Sequence, residues 1–393
     1  MWAKLWRPAC AAFAAAGWAW LALAAQAWDL APTPIAPTQA KPSGPASVTP
    51  GAKASAPKGP TYFLVPIRGE YGNEVRAEAL KLALDAAKAA KPDVVVVEID
   101  SGGGEVRQML AVCELLSDWQ SKEAVPLAAL VHKQAFSAAA ISALSVRRLY
   151  MRQGSSIGAA LIISVGPGGT QSLDSTRVGE KFSSAIRARC RTFAEVAGHS
   201  PLIVDAMMLP ETELSWARDA AGRPVVLQGT PATQRGSFTH GPVLLDSATK
   251  LLSLTASEAH DVGLSQGTVK DLAELGERLG KPGWTAASDR GVQIMDEAAQ
   301  RVRANHKEYD KAVQLIKLSM TKFNQAAGAQ ITTMERSIVS TRTLLLRIQK
   351  LSNDNDYIAA RASGDFPEGF DAYIGVCDRV LGEIKNHKRQ IRR

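Results

Sequence analysis

The fold is decided by the stretch Val94-Val-Val-Val-Glu-Ile-Asp-Ser-Gly-Gly-Gly104. Its first part is a nearly continuous apolar run, which is typical of a strand buried on both faces of a parallel sheet. Its second part is a glycine-rich turn, and a helical pattern follows as far as Trp119. A buried strand that leads through a short turn into a helix predicts an α/β domain.

Strands and helices alternate on both sides of this stretch. Before it, Tyr62–Ile67 is predicted to be a strand and Asn73–Ala90 a helix. After it, Pro126–Val131 is a second buried strand, and a helix of small residues begins at Ser137. The short connections favour one α/β domain with a parallel sheet, for which we expect the bounds 61–283.

The first 27 residues predict a secretory signal peptide. Lys4 and Arg7 precede an apolar run over residues 8–25, and Ala25-Gln-Ala27 has the small-x-small pattern of a cleavage site. If the run is not removed, it is long enough to serve as an N-terminal membrane anchor. Either way we expect an exported protein, periplasmic or held at the outer side of a membrane.

The composition changes again on either side of the α/β domain. Residues 28–60 are mostly Pro, Ala, Ser, Thr, Gly and Lys, and we expect a disordered linker. Residues 284–393 carry apolar side chains at spacings of three and four, which predict an all-α, coiled-coil-like module. A break near Gly328 makes its first two helices an antiparallel hairpin, and Phe370–Ile384 is predicted to be a third helix.

The bulk composition excludes some classes of function. The formal net charge is +8, but no basic stripe with interleaved aromatic residues marks a nucleic-acid surface. We therefore expect no nucleic-acid partner and interpret the charge as solubility and attraction to a membrane surface. The histidines and cysteines show no metal-ligand spacing, so no metal and no cofactor are predicted.

Five motifs follow one another inside the α/β domain. They are the turn Asp100-Ser-Gly-Gly-Gly104, the segment Phe136-Ser-Ala-Ala-Ala-Ile141, the strand Gly154-Ser-Ser-Ile-Gly-Ala159, the helix that opens with Glu180-Lys181, and the segment Leu254–Leu264. In this order they resemble the motifs of NfeD-like, membrane-associated serine peptidases of the ClpP/crotonase superfamily. The resemblance implies a ClpP/crotonase-like domain of repeated β-β-α units.

The resemblance also implies roles for individual residues. Ser137 is the implied nucleophile, Lys181 on the downstream helix is the implied base, and Gly103, Gly104 and Ala138 are implied to form the oxyanion hole. Physical chemistry agrees with these roles, because glycine lets backbone amides approach a substrate closely and a helix N-terminus favours negative charge. A lysine can act as a base where burial disfavours its ammonium form.

Three alternatives stay open. His132, five residues before Ser137, is a second candidate for the base. Phe136 and Gly102 stand where the family usually carries a small residue and a proline, and such changes are compatible with an inactive scaffold that binds peptides and, through its C-terminal helices, a partner. A crotonase-type acyl-CoA enzyme would use the same paired amides, although export argues against CoA chemistry.

The favoured function is therefore an exported, ATP-independent serine endopeptidase with a Ser-Lys dyad. Its expected substrates are hydrophobic peptides or membrane-protein segments, and we expect a homo-oligomer. The substrate class and the oligomer are implied by the resemblance.

Overall fold

The computed structural model describes residues 59–166, 169–173, 176–326 and 330–391. The predicted signal peptide, nearly all of the predicted linker and the predicted helix break at Gly328 lie outside these residues. The described chain forms two compact units, with the division between residues 302 and 303. Each unit is taken in turn.

The first unit contains all the strands of the described chain and the helices α1–α7. The strands are β1 (Thr61–Tyr71), β2 (Val94–Gly104), β3 (Leu127–Phe136), β4 (Arg148–Arg152), β5 (Ser156–Gly158), β6 (Ile163–Gly166), β7 (Gly169–Ser172), β8 (Leu214–Arg218), β9 (Pro224–Gln228), β10 (His240–Asp246), β11 (Ser253–Thr255), β12 (Thr268–Val269) and β13 (Thr285–Ser288). The helices are α1 (Ala77–Ala90), α2 (Val106–Lys122), α3 (Ala138–Leu144), α4 (Arg177–Ala197), α5 (Pro201–Met208), α6 (Ala256–Asp261) and α7 (Leu272–Arg278).

The main sheet has eight strands, and its central path runs β11-β5-β3-β2-β1-β13. Its pairings are parallel except that of β11 with β5. Two smaller antiparallel sheets, β10-β8-β9 and β6-β7, complete the unit. A largely parallel sheet with helices between its strands is the predicted α/β architecture.

Strand β2 is buried on both faces, as its apolar run predicts. Val95, Val97 and Ile99 belong to the large core that the sheet shares with α1–α5. Val94 and Val96 point the other way, into a smaller core with Leu275 of α7 and Trp284. Because both faces are covered, every residue from position 94 to 99 is buried, including the charged Glu98.

Strand β3 pairs with two different strands along its length, and this positions the end of the sheet. Its first half pairs with β4, at Ala128–Val131, and its last three residues pair with β5, at Ser156–Gly158. The chain leaves β3 at Phe136 and enters α3 at Ala138. Ser137 therefore lies at the carboxyl end of the sheet, beside the end of β2.

The second unit is an antiparallel helical bundle. Its helices are the greater part of α8 (Arg290–Gln325), then α9 (Ile331–Asp354), α10 (Asp356–Asp365) and α11 (Phe370–Ile391). Ion pairs Glu308–Arg347 and Arg342–Asp378 connect α9 to α8 and to α11. Fully buried side chains such as Tyr309, Ile338 and Leu345 form its core. The predicted α/β domain followed by a helical C-terminal region is thus confirmed.

The boundary between the units differs from the predicted one at 283/284. Residues 285–288 form strand β13, which pairs with β1 at the sheet edge. The first turns of α8 also belong to the sheet unit, because Met295 is buried in its core.

Among the described residues, no helix is both long enough and apolar enough to cross a membrane.

Candidate active site

Ser137 occupies a sharp turn between strand and helix. Its backbone has φ 55° and ψ −125°, a conformation that residues other than glycine rarely adopt. The Ser137 N–H donates to the carbonyl oxygens of Gly158 (3.1 Å) and Ala159 (3.0 Å). These bonds to the end of β5 hold the turn, and the half-buried Ser137 side chain stands at the head of the buried helix α3.

The glycine turn after β2 packs directly against this serine. A Cβ atom at Gly103, where φ is 106°, would lie 2.5 Å from the Ser137 Cβ and 3.0 Å from its Oγ. A Cβ at Gly104, where φ is 139°, would lie 2.4 Å from the Tyr71 carbonyl oxygen. Both positions therefore require glycine. A Cβ at Gly102 would meet nothing within 4 Å, so the departure from the family motif falls at the unconstrained position.

The predicted oxyanion residues surround Ser137. The Gly103 N–H donates to the Ser101 Oγ at 3.1 Å, and this hydroxyl in turn donates to the Gly69 carbonyl at 2.6 Å. Ala138 is the first residue of α3, where backbone N–H groups have no acceptor within the helix. One predicted donor is thus already hydrogen-bonded, and the other lies at the positive end of a short helix.

Two cavities flank Ser137. The smaller, of about 50 Å³, is lined mainly by aliphatic side chains and methionines, with Gly104, Ser137 and Ala138 at one side. The larger is an open groove of about 600 Å³ that runs past the glycine turn to Leu161 and Ile163. Phe136 is half-buried and lines neither cavity. The residues that line only the smaller cavity are Val106, Met109, Ala138, Ile141, Ala160, Ile162 and Met208.

Lys181 is not among the residues that line either cavity. It lies in the first part of α4, and its side chain is exposed. Val178 and Phe182 on the same turns are also exposed, at 68% and 61%. The neighbouring Glu180 pairs with the buried Arg187 at 2.7 Å. The structure therefore brings Ser137, Gly103, Gly104 and Ala138 together and leaves Lys181 on the surface.

His132 lies on the other side of the sheet from α3. It is two residues after Leu130 on β3 and therefore shares its face, which covers the smaller core, whereas α3 packs into the large one. Its ring lies 3.5 Å from a carboxylate oxygen of Glu98 and 2.9 Å from the Arg152 guanidinium. Glu98 also binds Arg68 at 2.5 Å. His132 is thus held in a charged network on the sheet and does not contact Ser137.

The cysteines offer no alternative nucleophile within the described residues. Burial raises the pKa values of the Cys113 and Cys190 thiols to about 12 each, whereas a reactive cysteine needs a lowered pKa. Cys377 is also a buried free thiol. No cluster of three His, Cys, Asp or Glu side chains among the described residues is arranged to hold a metal ion.

Sequence reasoning missed several contributors to the site. Ser101 lies inside the decisive stretch, but only the fold shows that its hydroxyl binds the Gly103 amide. Gly158 and Ala159 belong to a strand motif of the sequence, yet their role as acceptors for Ser137 depends on how β5 pairs with β3. Met208 has no sequence signal at all, because it reaches the cavity through the packing of α5.

Comparison with known proteins identifies the family. Residues 61–244 match the family model of the NfeD1b N-terminal domain. These residues belong to the NfeD-like family. The resemblance predicted from the five motifs is therefore confirmed. The membrane protein NfeD1b of Bacillus subtilis (strain 168) is 26% identical over 221 residues, which cover 56% of this chain and 41% of that protein.

Solved structures similar to this chain include those of 1510-N and of ClpP1. The 1510-N membrane protease specific for a stomatin homolog from Pyrococcus horikoshii has a TM-score of 0.35 at 18% identity, over 56% of this chain and 78% of that one. A lysine-to-alanine mutant of 1510-N in complex with a substrate peptide has a TM-score of 0.42 at 16% identity, over 61% and 99%. An asparagine-to-aspartate mutant of ClpP1 from Listeria monocytogenes has a TM-score of 0.33 at 14% identity, over 53% of this chain and 92% of that one.

Proposed function

We propose that this chain is an exported, ATP-independent serine endopeptidase with Ser137 as its nucleophile. The observation that carries the proposal is the backbone of Ser137, whose positive φ is kept while Gly103 packs against its side chain. A conformation of this kind costs about 1–3 kcal/mol and persists where the surroundings enforce it, most often at functional sites. A serine on such a turn presents its hydroxyl to a groove, as a nucleophile must.

The cavities support a hydrophobic peptide or membrane-protein segment as the substrate. Met109, Ile141 and Met208 line the small cavity beside Ser137, and an apolar side chain of the substrate would displace only weakly held water there. The open groove of about 600 Å³ would hold the rest of the peptide. The cleaved bond would lie between the groove and the glycine turn.

The Gly103 and Ala138 amides are the proposed oxyanion donors. For the first of them, the substrate must replace the Ser101 hydroxyl as acceptor, since that hydroxyl holds the Gly103 N–H at 3.1 Å. The loss of one such donor typically removes about 3 kcal/mol of transition-state stabilisation. Gly104 contributes by keeping the turn close to β1.

Lys181 is the proposed base, and its exposure makes the proposed homo-oligomer part of the mechanism. Because a lysine becomes a base through burial, a second copy would have to cover this part of α4. Val178 and Phe182 beside it are exposed and apolar, which favours such a contact. The base would then act only in the assembled protein.

A catalytically inactive scaffold is the second candidate. It is favoured by two observations, the exposed Lys181 and the Gly103 amide that is already bonded to Ser101. In that case the groove would bind apolar peptides without cleaving them.

Hydrolysis of hydrophobic peptides by the full chain distinguishes the peptidase from the inactive scaffold. We expect Ser137→Ala and Lys181→Ala each to lower kcat at least a thousandfold. Lys81→Ala, which changes an exposed lysine on α1, should leave it unchanged. Circular dichroism checks that each variant is folded. Activity that survives Ser137→Ala would exclude this nucleophile. Activity that is lost in His132→Ala but kept in Lys181→Ala would assign the role of base to His132. Peptide binding without turnover by the wild type would favour the scaffold.

A further inference from the structure

An apolar strip with basic ends runs along the outer side of α8 and α9. On α8, Leu315 and Leu318 are 39% and 50% exposed, and on α9, Val339 and Leu346 are 47% and 42% exposed. These four aliphatic residues lie on the bundle surface among exposed lysine and arginine residues. We call this surface the basic-ended strip; it comprises Lys311, Leu315, Leu318 and Lys322 on α8 with Arg336, Val339, Thr343, Leu346 and Lys350 on α9.

Helical spacing places each set on one face. Successive members are three or four residues apart, which aligns them along a helix. The core residues Ile316, Met320 and Ile338 point away from that face. The Ser319 and Ser340 hydroxyls lie 3.4 Å apart between the helices, and Glu308 pairs with Arg347 three turns away. The two sets therefore lie side by side as one surface.

The strip carries positive charge that no acidic side chain within it balances. Between residues 303 and 350, the acidic residues are Glu308, Asp310 and Glu335, and each is paired with a basic residue that is not part of the strip. Residues 303–393 as a whole contain 16 Lys and Arg against 10 Asp and Glu, a formal net charge of +6 out of +8 for the entire chain. The strip is thus apolar in the middle and cationic at both ends.

We propose that the basic-ended strip docks onto the surface of an anionic lipid bilayer. Its four aliphatic side chains would enter the boundary between headgroups and acyl chains, while the lysines and arginines extend to lipid phosphates. From Lys311 to Lys322 the strip is only roughly 16 Å long, since a helix rises 1.5 Å per residue. The bundle would therefore lie on the membrane without crossing it.

Two features favour lipid over a protein partner. Four half-exposed aliphatic side chains offer far less area than the ~800 Å² that each side of a standard protein–protein interface buries. A second copy would bring the same cationic ends together, and like charges that meet across an interface oppose association. A fluid anionic surface needs neither a large matched area nor a single geometry. The proposal is independent of the peptidase activity.

A fluorophore placed in the strip tests this in the full chain. Cys113, Cys190 and Cys377 are buried, so a Cys10→Ser, Val339→Cys protein can be labelled at position 339 with a polarity-sensitive dye. The matched control carries the dye at Val196→Cys on α4, a valine that is 60% exposed. The probe is a vesicle of phosphatidylcholine with or without phosphatidylglycerol. We expect the emission from position 339 to shift to the blue only with phosphatidylglycerol, and the shift to fade as salt rises.

Charge variants add a second arm. Lys311→Gln with Lys322→Gln on the labelled protein should raise the lipid concentration for half of the shift roughly 25-fold, since each basic residue near an anionic surface contributes about fivefold. Lys317→Gln with Lys385→Gln, which removes two exposed lysines outside the strip, should change it far less. No shift with phosphatidylglycerol, equal shifts at positions 339 and 196, or equal losses in the two double variants would overturn the proposal. A doubled mass in light scattering that Leu318→Ser abolishes, without vesicle binding, would assign the strip to a second copy and overturn it as well.

Discussion

At the scale of single residues, the site depends on two glycines that have no side chain. Ser137 can adopt its positive φ beside the end of β2 only because Gly103 has no side chain to occupy the same space. Gly104 serves a different purpose, because its bare Cα lets β2 approach the Tyr71 backbone of β1. The motif Gly102-Gly-Gly104 therefore contains two positions fixed by packing and one that is free to vary.

Alanine substitutions within this motif should differ sharply. Gly104→Ala places a methyl group 2.4 Å from the Tyr71 carbonyl at a φ of 139°, and we expect it to lower the free energy of unfolding by about 2 kcal/mol or more. Gly102→Ala meets nothing within 4 Å and should change it by less than about 0.5 kcal/mol. Urea unfolding followed by circular dichroism measures both. Equal effects of the two substitutions would contradict this account of the turn.

At the scale of elements, the sequence predicted those whose pattern is local. The apolar run predicts strand β2, and the small residues after Ser137 predict α3. Strand β13 has no such signal, because Thr285–Ser288 is short and partly exposed. It is a strand because it pairs with β1 at the edge of the sheet. The exposure of Lys181 was equally beyond prediction, since it depends on what packs against α4. The oxyanion residues were predictable because their motif also fixes their place at the end of β2.

The end of α4 predicts a pH dependence of stability. His199 follows the C-cap Gly198, and its ring nitrogen Nε2 lies 2.9 Å from the Val146 carbonyl oxygen. Burial lowers the pKa of His199. Below about pH 6.5 this histidine is therefore protonated more readily in the unfolded chain than in the folded protein. The contribution of His199 to the free energy of unfolding is therefore complete above that pH. Stability is lost as pH falls toward the folded pKa, at no more than about 1.4 kcal/mol per pH unit.

Replacement of this histidine should flatten the pH profile. We expect the difference in unfolding free energy between pH 7.5 and 5 to be smaller in His199→Gln than in the wild type. Urea titrations at the two pH values give this difference, and His240→Gln, at an exposed position, is the control. A wild-type slope that persists unchanged in His199→Gln would assign the acid sensitivity to other groups.

At the scale of the whole molecule, the core of the helical unit is separate from the cores of the sheet unit, and this separation suggests two cooperative units. The sheet unit is built on residues such as Ile99, and the helical unit on residues such as Leu345, and each is fully buried in its own cluster. Helix α8 continues through the division, but the side chains that it buries change from one core to the other: Met295 belongs to the first and Ile316 to the second. That the units unfold independently is a prediction that core truncations can test.

Truncation of either core should therefore weaken one unit alone. Leu345→Ala leaves a cavity in the bundle and should lower the opening free energy of residues 303–391 by about 2–5 kcal/mol. Hydrogen exchange read by mass spectrometry should then show faster exchange in α9 and α11 while β2 and β3 keep their protection. Ile99→Ala should give the reverse pattern. If either substitution speeds exchange in both units to the same extent, then α8 couples them into one cooperative structure and the division at residue 302 has no energetic meaning.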